Sequence, residues 1–156
     1  MCRTQALNIS TRPTGGLEFG AWEHLIANGA TQGAPYIVLA NDSGFGPFTP
    51  LRPLLARLQA AQKPAWGLVA SRAVTPHLQS WFVGLSQAAW QSPAIQRVFT
   101  LPFNAMTRSE IIWHGELGIS VALKESGIPL HALRSDLASP LATIFPVNPN
   151  HATWTT

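Results

Sequence analysis

The chain has 156 residues, of which 46% are hydrophobic and 11% are charged, and its formal net charge is +3. This length gives one domain at most, with enough chain for a real core, and the composition excludes a disordered protein. The ten basic residues are scattered singly, so no nucleic-acid partner is expected. The single cysteine excludes an internal disulfide framework and a multi-cysteine zinc site, and it fits a reducing compartment.

Targeting signals are not evident in the sequence. The first ten residues lack the continuous apolar segment of a signal peptide. No stretch approaches the roughly 18 uninterrupted apolar residues that a transmembrane helix needs. We therefore expect a cytoplasmic protein, and any association with a membrane would be peripheral, at its inner face.

Helical and strand patterns alternate in the first half of the chain. An irregular segment over 1–11 precedes a helix predicted from 17 to 28, where apolar residues recur at helical spacing. A short buried strand at 36–40 ends in a turn-rich segment, and a helix follows over 51–62. A second short buried strand is predicted at 65–71.

The same alternation continues in the second half. A strand is predicted at 79–85, followed by a helical pair broken at Pro93. A helix from 116 to 126 leads to a last strand over 130–135, and the tail, 136–156, has no regular period. Alternating strands and helices predict an α/β, Rossmann-like three-layer core with a mostly parallel sheet.

The turn after the first strand is the first candidate site. Asn41, Asp42 and Ser43 come directly after the strand at 36–40. Ligands of open α/β sheets bind at the carboxyl ends of the strands, which would place the Asp42 carboxylate beside a ligand or a metal ion. The same residue types commonly form turns and helix caps, so a purely structural role is the alternative.

Glu116 is the second candidate, because it stands between Gly115 and Gly118 at a predicted helix start. The helix dipole would favour its ionised form, which could act as a general base on a hydroxyl, while the glycines would allow a substrate to approach. Ordinary first-turn helix stabilisation is the alternative. His77 and His114 lie near tryptophans, and a structural role is the alternative for both. Neither a phosphate-binding glycine loop nor a G-x-S-x-G nucleophile motif is present.

Several segments, in order and spacing, resemble the rhamnan synthesis protein F family, a group of sugar-nucleotide glycosyltransferases of cell-surface polysaccharide assembly. The similarity covers most of the chain, and its most specific parts are N-D-S-x-x-G-P and H-L-Q-S-W-F. The segments that carry it are RPTGGLEFGAW (12–22), YIVLANDSGFGPFTPL (36–51), WGLVAS (66–71), HLQSWFVGL (77–85), QSPAIQRVF (91–99), HGELGISVALKESG (114–127) and VNPNHATW (147–154).

The resemblance implies a GT-A fold and transfer of a sugar, such as rhamnose, from a nucleotide-sugar to a cell-surface polysaccharide or lipid-linked glycan. It implies Glu116 as the catalytic base and a divalent metal, Mg²⁺ or Mn²⁺, as cofactor. The donor would be bound by Arg12, Glu18, Asn41, Asp42 and Ser43. The acceptor or the sugar would be bound by His77, Gln79, Ser80 and Trp81. The metal would be held by Asp42 and His151.

The similarity also bears on domain organisation. The family has further elements before the first motif and after the last one, and one of its motif aspartates is Glu18 here. We therefore expect 1–156 to form a single partial glycosyltransferase-like domain, incomplete at both ends. The alternative function is that of a truncated, catalytically inactive relative that acts as a binding or partner module.

Overall fold

The computed structural model describes residues 9–12, 15–42, 50–72 and 74–135. The strands in these ranges are β1 (Tyr36–Ala40), β2 (Ala65–Ser71), β3 (His77–Leu78), β4 (Phe82–Ser86) and β5 (Ala132–Ser135). The helices are α1 (Leu17–Ala27), α2 (Leu51–Ala60), α3 (Gln87–Trp90), α4 (Pro93–Val98), α5 (Arg108–Ile111) and α6 (Leu117–Glu125). A short 3-10 turn spans Phe103–Ala105, and a π-helical segment, Ile112–Glu116, joins α5 to α6.

The strands form one curled, half-barrel sheet that is mainly antiparallel. β4 lies between β1 and β2 and runs opposite to both, and β3 is also antiparallel to β2. Among the described strands, parallel pairing occurs between β2 and β5. The predicted parallel, Rossmann-like GT-A core is therefore wrong. The connection from β2 to β3, residues 72–76, is too short for a crossover, which needs a dozen or more residues, so the chain turns back along β2.

β3 and β4 act as two halves of one interrupted strand along β2. Gly67 of β2 faces Val83, and Ala70 faces Leu78. Between these two pairs β2 advances by three residues, whereas the opposite segment advances by five. The two surplus residues fall within 79–82, which makes this segment a β-bulge. A bulge redirects side chains away from the regular alternation of a strand.

The core lies on one face of the sheet. Ile37 and Leu39 of β1 pair with Leu85 and Val83 of β4, and all four are buried on that face. The helices add buried apolar side chains to the same cluster. They are Phe19 and Trp22 of α1, Ala89 and Trp90 of α3, Ala94, Ile95 and Val98 of α4, and Ile119, Ala122 and Leu123 of α6.

The opposite face carries an aromatic row over β1, β2 and β4. Trp66 lies between Tyr36 and Phe82, with ring centroids 6.1 and 5.9 Å away. Gly84 pairs with Trp66 and leaves room for its indole, which is 2% exposed. The Tyr36 hydroxyl donates to the Lys63 carbonyl at 3.0 Å.

Tyr36 gives the fold a measurable alkaline signature. Burial raises the pKa of Tyr36 from 10.0 to about 12. Because the folded pKa lies above the unfolded one, the stability that this group contributes is complete below about pH 10 and is lost as the pH rises towards 12. Tyr36 is the single tyrosine, so ultraviolet difference absorbance reports its ionisation alone.

We expect a tyrosinate midpoint near pH 12 in the folded protein. Between pH 10 and 12, the free energy of unfolding measured with denaturant should fall more for the wild type than for Tyr36→Phe, because that variant lacks the ionisable hydroxyl. A midpoint near 10 in a chain that is still folded would contradict the effect of partial burial on the Tyr36 side chain.

Most local predictions are confirmed. Strands occupy 36–40 and 65–71 as predicted, and helices begin at Leu17 and Leu51. Of the strand predicted at 79–85, the first three residues belong to the bulge, and the strand itself, β4, begins at Phe82. None of the described helices is long and apolar enough to cross a membrane.

Candidate functional site

The bulge between β3 and β4 holds three of the residues predicted to bind sugar. Gln79 and Ser80 are buried, at 4% and 2% exposure, although both are polar. The indole of Trp81 donates to the Gln79 side-chain oxygen at 3.0 Å. The carbonyl of Trp81 accepts from the backbone N–H of Asn41 at 3.2 Å. The bulge is thus fastened to the end of β1.

Glu116 arrives at the bulge from a helix that differs from the prediction. Thr107 caps α5 through a capping box with Glu110, whose pKa is lowered by the hydrogen bonds from the Thr107 backbone and hydroxyl. From Arg108 the helical path continues through the π-helical segment into α6. Glu116 therefore lies inside a helix, and the predicted helix start at this residue is wrong. π-Bulges inside α-helices occur frequently at functional sites.

Gly115 has a packing role rather than the predicted role in substrate approach. A Cβ atom at this position would lie 2.8 Å from Cε1 of Phe19 in α1. The missing side chain lets the π-helical segment rest directly on the Phe19 ring. This contact sets the position of the next residue, Glu116, relative to α1.

His77, Ser80 and Glu116 form the chemical centre of the site, hereafter the His77–Glu116 cluster. Nε2 of His77 lies 3.4 Å from Oε1 of Glu116, and the Ser80 hydroxyl donates to Oε2 at 3.2 Å. Nδ1 of His77 lies 2.7 Å from the Thr75 carbonyl oxygen. Because a carbonyl only accepts, Nδ1 carries the proton that is donated to it in the neutral ring, and Nε2 is the nitrogen that faces Glu116.

Helix α6 fixes β3 against this cluster. The Ser120 hydroxyl accepts from the backbone N–H of Leu78 at 2.9 Å, and the Lys124 ammonium donates to the Pro76 carbonyl at 2.6 Å. Both contacts flank His77 in the chain. Sequence reasoning missed Thr75, Ser120 and Lys124. A signal existed for two of them, since Ser120 and Lys124 follow Glu116 at four-residue intervals on one helix face.

The end of β1 brings in two predicted donor-binding residues. Nδ2 of Asn41 donates to Oε1 of Glu18 at 3.0 Å. The Trp22 indole donates to the Ala40 carbonyl at 3.3 Å, which ties α1 to the same strand end. Asp42 follows Asn41 and is exposed. Ser43 and His151 lie outside the described residues.

Arg12 is engaged elsewhere. Its guanidinium donates to the carbonyls of Gly15 and Leu17 at 2.6 and 2.9 Å, and to the Asn104 side chain at 3.1 Å, bracing the start of α1. A cavity of about 380 Å³ opens beside Arg12, and none of the residues that line the cavity belongs to the His77–Glu116 cluster. The lining residues are Arg12, Gly15, Gly16, Leu17, Met106, Arg108 and Ile111.

The described part of the chain does not build a metal centre by itself. Within it, no three His, Cys, Asp or Glu side chains come close enough together to hold an ion. Of the two predicted metal ligands, only Asp42 is among the described residues. A metal ion at this single exposed carboxylate would depend on substrate phosphates for its other ligands.

The His77–Glu116 cluster is suited to moving a proton to or from a hydroxyl. Glu116 keeps 26% of its side chain exposed, whereas His77 is 3% exposed. Part of the carboxylate is thus open to a substrate, while the buried Ser80 hydroxyl holds Oε2 and the imidazole borders Oε1. In a hydrolase triad the imidazole stands between serine and carboxylate. Here the carboxylate stands between Ser80 and His77, so Ser80 is not an activated nucleophile.

Comparison with known proteins found no protein-family model, no curated protein and no solved structure that matches the chain.

Proposed function

We propose that the protein transfers a sugar from a nucleotide-sugar to a hydroxyl of a cell-surface polysaccharide or lipid-linked glycan. The observation that carries the proposal is the pair of contacts that the bulge makes at one end of the sheet. Trp81 accepts from Asn41 at the end of β1, and the neighbouring Ser80 donates to Glu116 on the helical side. Residues from distant motifs meet there although the sheet is antiparallel.

Glu116 is the proposed general base. The acceptor hydroxyl loses its proton to the carboxylate while its oxygen attacks the anomeric carbon of the donor. The bond between that carbon and the donor phosphate oxygen breaks, and the nucleoside diphosphate departs with the bonding electron pair. The products of the step are the new glycosidic bond, the free nucleoside diphosphate and protonated Glu116. The exposed part of the Glu116 side chain is where the hydroxyl would approach.

Ser80 and His77 act as positioning residues for the base. The Ser80 hydroxyl holds Oε2, so the orientation of the carboxylate is fixed before substrate arrives. His77 places Nε2 at 3.4 Å from Oε1, so the imidazole borders the second carboxylate oxygen. A fixed carboxylate avoids the cost of orienting a free side chain in the transition state.

The donor would lie towards the end of β1. Asp42 is the exposed carboxylate there, and Mg²⁺ or Mn²⁺ is commonly shared between one or two carboxylates and substrate phosphates. Glu18 accepts from Asn41, which leaves its second oxygen for a sugar hydroxyl. The engagement of the Arg12 guanidinium with the carbonyls of Gly15 and Leu17 favours the second candidate function, a sugar-binding module without transfer activity.

Calorimetry with dTDP-rhamnose and Mg²⁺ tests the donor side. We expect metal-dependent binding by the wild type and a loss of at least about ten-fold in affinity in Asp42→Ala, because one carboxylate ligand is removed. Glu125→Ala, which removes a surface carboxylate on α6, is the matched control and should bind like the wild type.

The outcomes separate the two candidate functions. Undiminished binding by Asp42→Ala would remove this residue from the donor site. Donor binding without transfer of the sugar to a glycan acceptor would favour the binding module. Neither binding nor transfer with any nucleotide-sugar tested would overturn the proposed function.

A further inference from the structure

The cavity beside Arg12 has no part in the proposed transfer reaction. Two segments that are far apart in the chain line it, one over 12–17 at the start of α1 and the other over 106–111 around α5. Its volume of about 380 Å³ lies within the usual range for small-molecule sites, roughly 300 to 1,000 Å³. The cavity is therefore large enough for a small ligand, and the chemistry of its wall indicates which kind.

The charge of the cavity wall is positive. Arg12 and Arg108 both line the cavity, and none of the described lining residues is acidic. The acidic residues nearest to them in the chain bond elsewhere, since Glu110 completes the capping box of α5 and Glu18 accepts from Asn41. In the part of the chain that the structure describes, the exposed Arg108 guanidinium has no hydrogen-bond or ion-pair partner. A ligand of complementary charge is therefore an anion.

The Arg12 guanidinium is held in place before a ligand arrives. Nη2 donates to the carbonyls of Gly15 and Leu17, and Nη1 donates to the side-chain oxygen of Asn104. These three acceptors are uncharged, so they fix the guanidinium without cancelling its charge. A cation that is already fixed loses less conformational entropy when an anion binds than a free side chain does.

The rest of the wall is mostly apolar, with Leu17, Met106 and Ile111 among the lining residues. Leu17 is 50% exposed although it is a leucine, and its φ of 50° lies in the left-handed region that a residue with a side chain rarely adopts. Strained backbone of this kind occurs often at ligand sites, where the surrounding structure holds it. Here Arg12 holds the Leu17 carbonyl. The wall therefore suits an anion that is attached to an apolar body.

We propose that this cavity binds a phosphate monoester whose alcohol part is apolar. The phosphate would lie between the guanidiniums of Arg12 and Arg108, and the apolar part would lie against Leu17 and Met106. A phosphate monoester carries nearly two negative charges at neutral pH and so matches two cations, whereas a carboxylate carries one. The proposal stands independently of sugar transfer, because the His77–Glu116 cluster contributes no residue to the wall.

Calorimetry on the full chain with phenyl phosphate, inorganic phosphate and benzoate tests this site. We expect phenyl phosphate to bind at least about ten-fold more tightly than inorganic phosphate, because its ring buries apolar surface, and more tightly than benzoate. Arg108→Gln should weaken phenyl phosphate binding by about ten-fold, because a charge-assisted hydrogen bond is lost. The matched control is Arg57→Gln, which makes the same change of charge on the exposed side of α2 and should bind like the wild type.

A second variant tests the apolar wall. Leu17→Asn removes apolar surface but introduces a residue type that tolerates the left-handed backbone conformation. It should bind inorganic phosphate like the wild type and reduce the advantage of phenyl phosphate by at least about three-fold. Circular dichroism confirms that each variant is folded. Failure of the wild type to bind phenyl phosphate, or equal affinity in Arg108→Gln, would overturn the proposal. Benzoate bound as tightly as phenyl phosphate would overturn the assignment to a phosphate.

Discussion

Glu116→Gln is expected to lower the rate of sugar transfer by about 10²- to 10⁴-fold, the usual contribution of a general base. Glutamine keeps the shape of the side chain and an oxygen that accepts from Ser80, but it cannot take a proton from an acceptor hydroxyl. The fold should therefore persist while the chemical step fails. The turnover rate is measured with saturating nucleotide-sugar and glycan acceptor. Donor affinity, measured separately by calorimetry, should change little.

Glu125→Gln is the matched control for this experiment. Glu125 lies on the same helix, but its partner is the exposed Arg97 at 3.0 Å on the surface. Exposed ion pairs contribute little, so this variant should retain activity and stability. If Glu116→Gln turned over at the wild-type rate, Glu116 would not be the base. An equal loss in both variants would point to a general effect of charge on α6.

Gly84→Ala is expected to destabilise the fold by about 3 kcal/mol, the upper part of the range for overpacked cores. The new Cβ would lie 2.3 Å from Cζ2 and 2.4 Å from Cε2 of Trp66. The indole cannot swing aside, because it is 2% exposed and flanked by the rings of Tyr36 and Phe82. Denaturant unfolding followed by circular dichroism measures the change.

Gly118→Ala provides the opposite expectation on another element. Its Cβ would meet nothing closer than 3.8 Å, and alanine in a helix is favoured over glycine by about 1 kcal/mol, so this variant should be more stable than the wild type.

The double variant Gly84→Ala/Trp66→Leu should be less destabilised than the sum of its single changes, because the smaller side chain vacates the contact. Additive effects, or a stable Gly84→Ala, would contradict the contact with Trp66.

Local patterns in the sequence predict the individual elements well, because those patterns record burial and turn chemistry directly. The strand at 36–40 is an apolar run ended by turn residues, and α1 shows apolar spacing followed by Asn28-Gly29. Strand direction is a different matter. Alternation of helices and strands fits β1, α2 and β2, which do run the same way, but β4 inserts between the two strands. Nothing local to 82–86 shows which neighbours it will have.

The candidate site was predictable in part. Motif order predicts Asn41, Gln79, Ser80 and Glu116 as site residues, and the bulge brings them together. Trp81 bonds to Asn41 and to Gln79, and Ser80 bonds to Glu116. The interior position of Glu116 was missed, because the segment before it contains glycine and histidine and lacks an uninterrupted α-helical period. Its helical path depends on packing of Gly115 against Phe19, a contact between residues far apart in the chain.

The bulge has a consequence for how the site comes into being. Ser80 and Glu116 are 36 residues apart in sequence, and Asn41 and Glu18 are 23 apart. Closing loops of this length costs conformational entropy before the contact forms, so we expect these contacts to form late in folding, after the sheet and α6 have docked. The geometry around Glu116 would then depend on the cooperative folding of the domain. A partly folded intermediate with intact helices would contain every candidate residue without the contacts that bring them together.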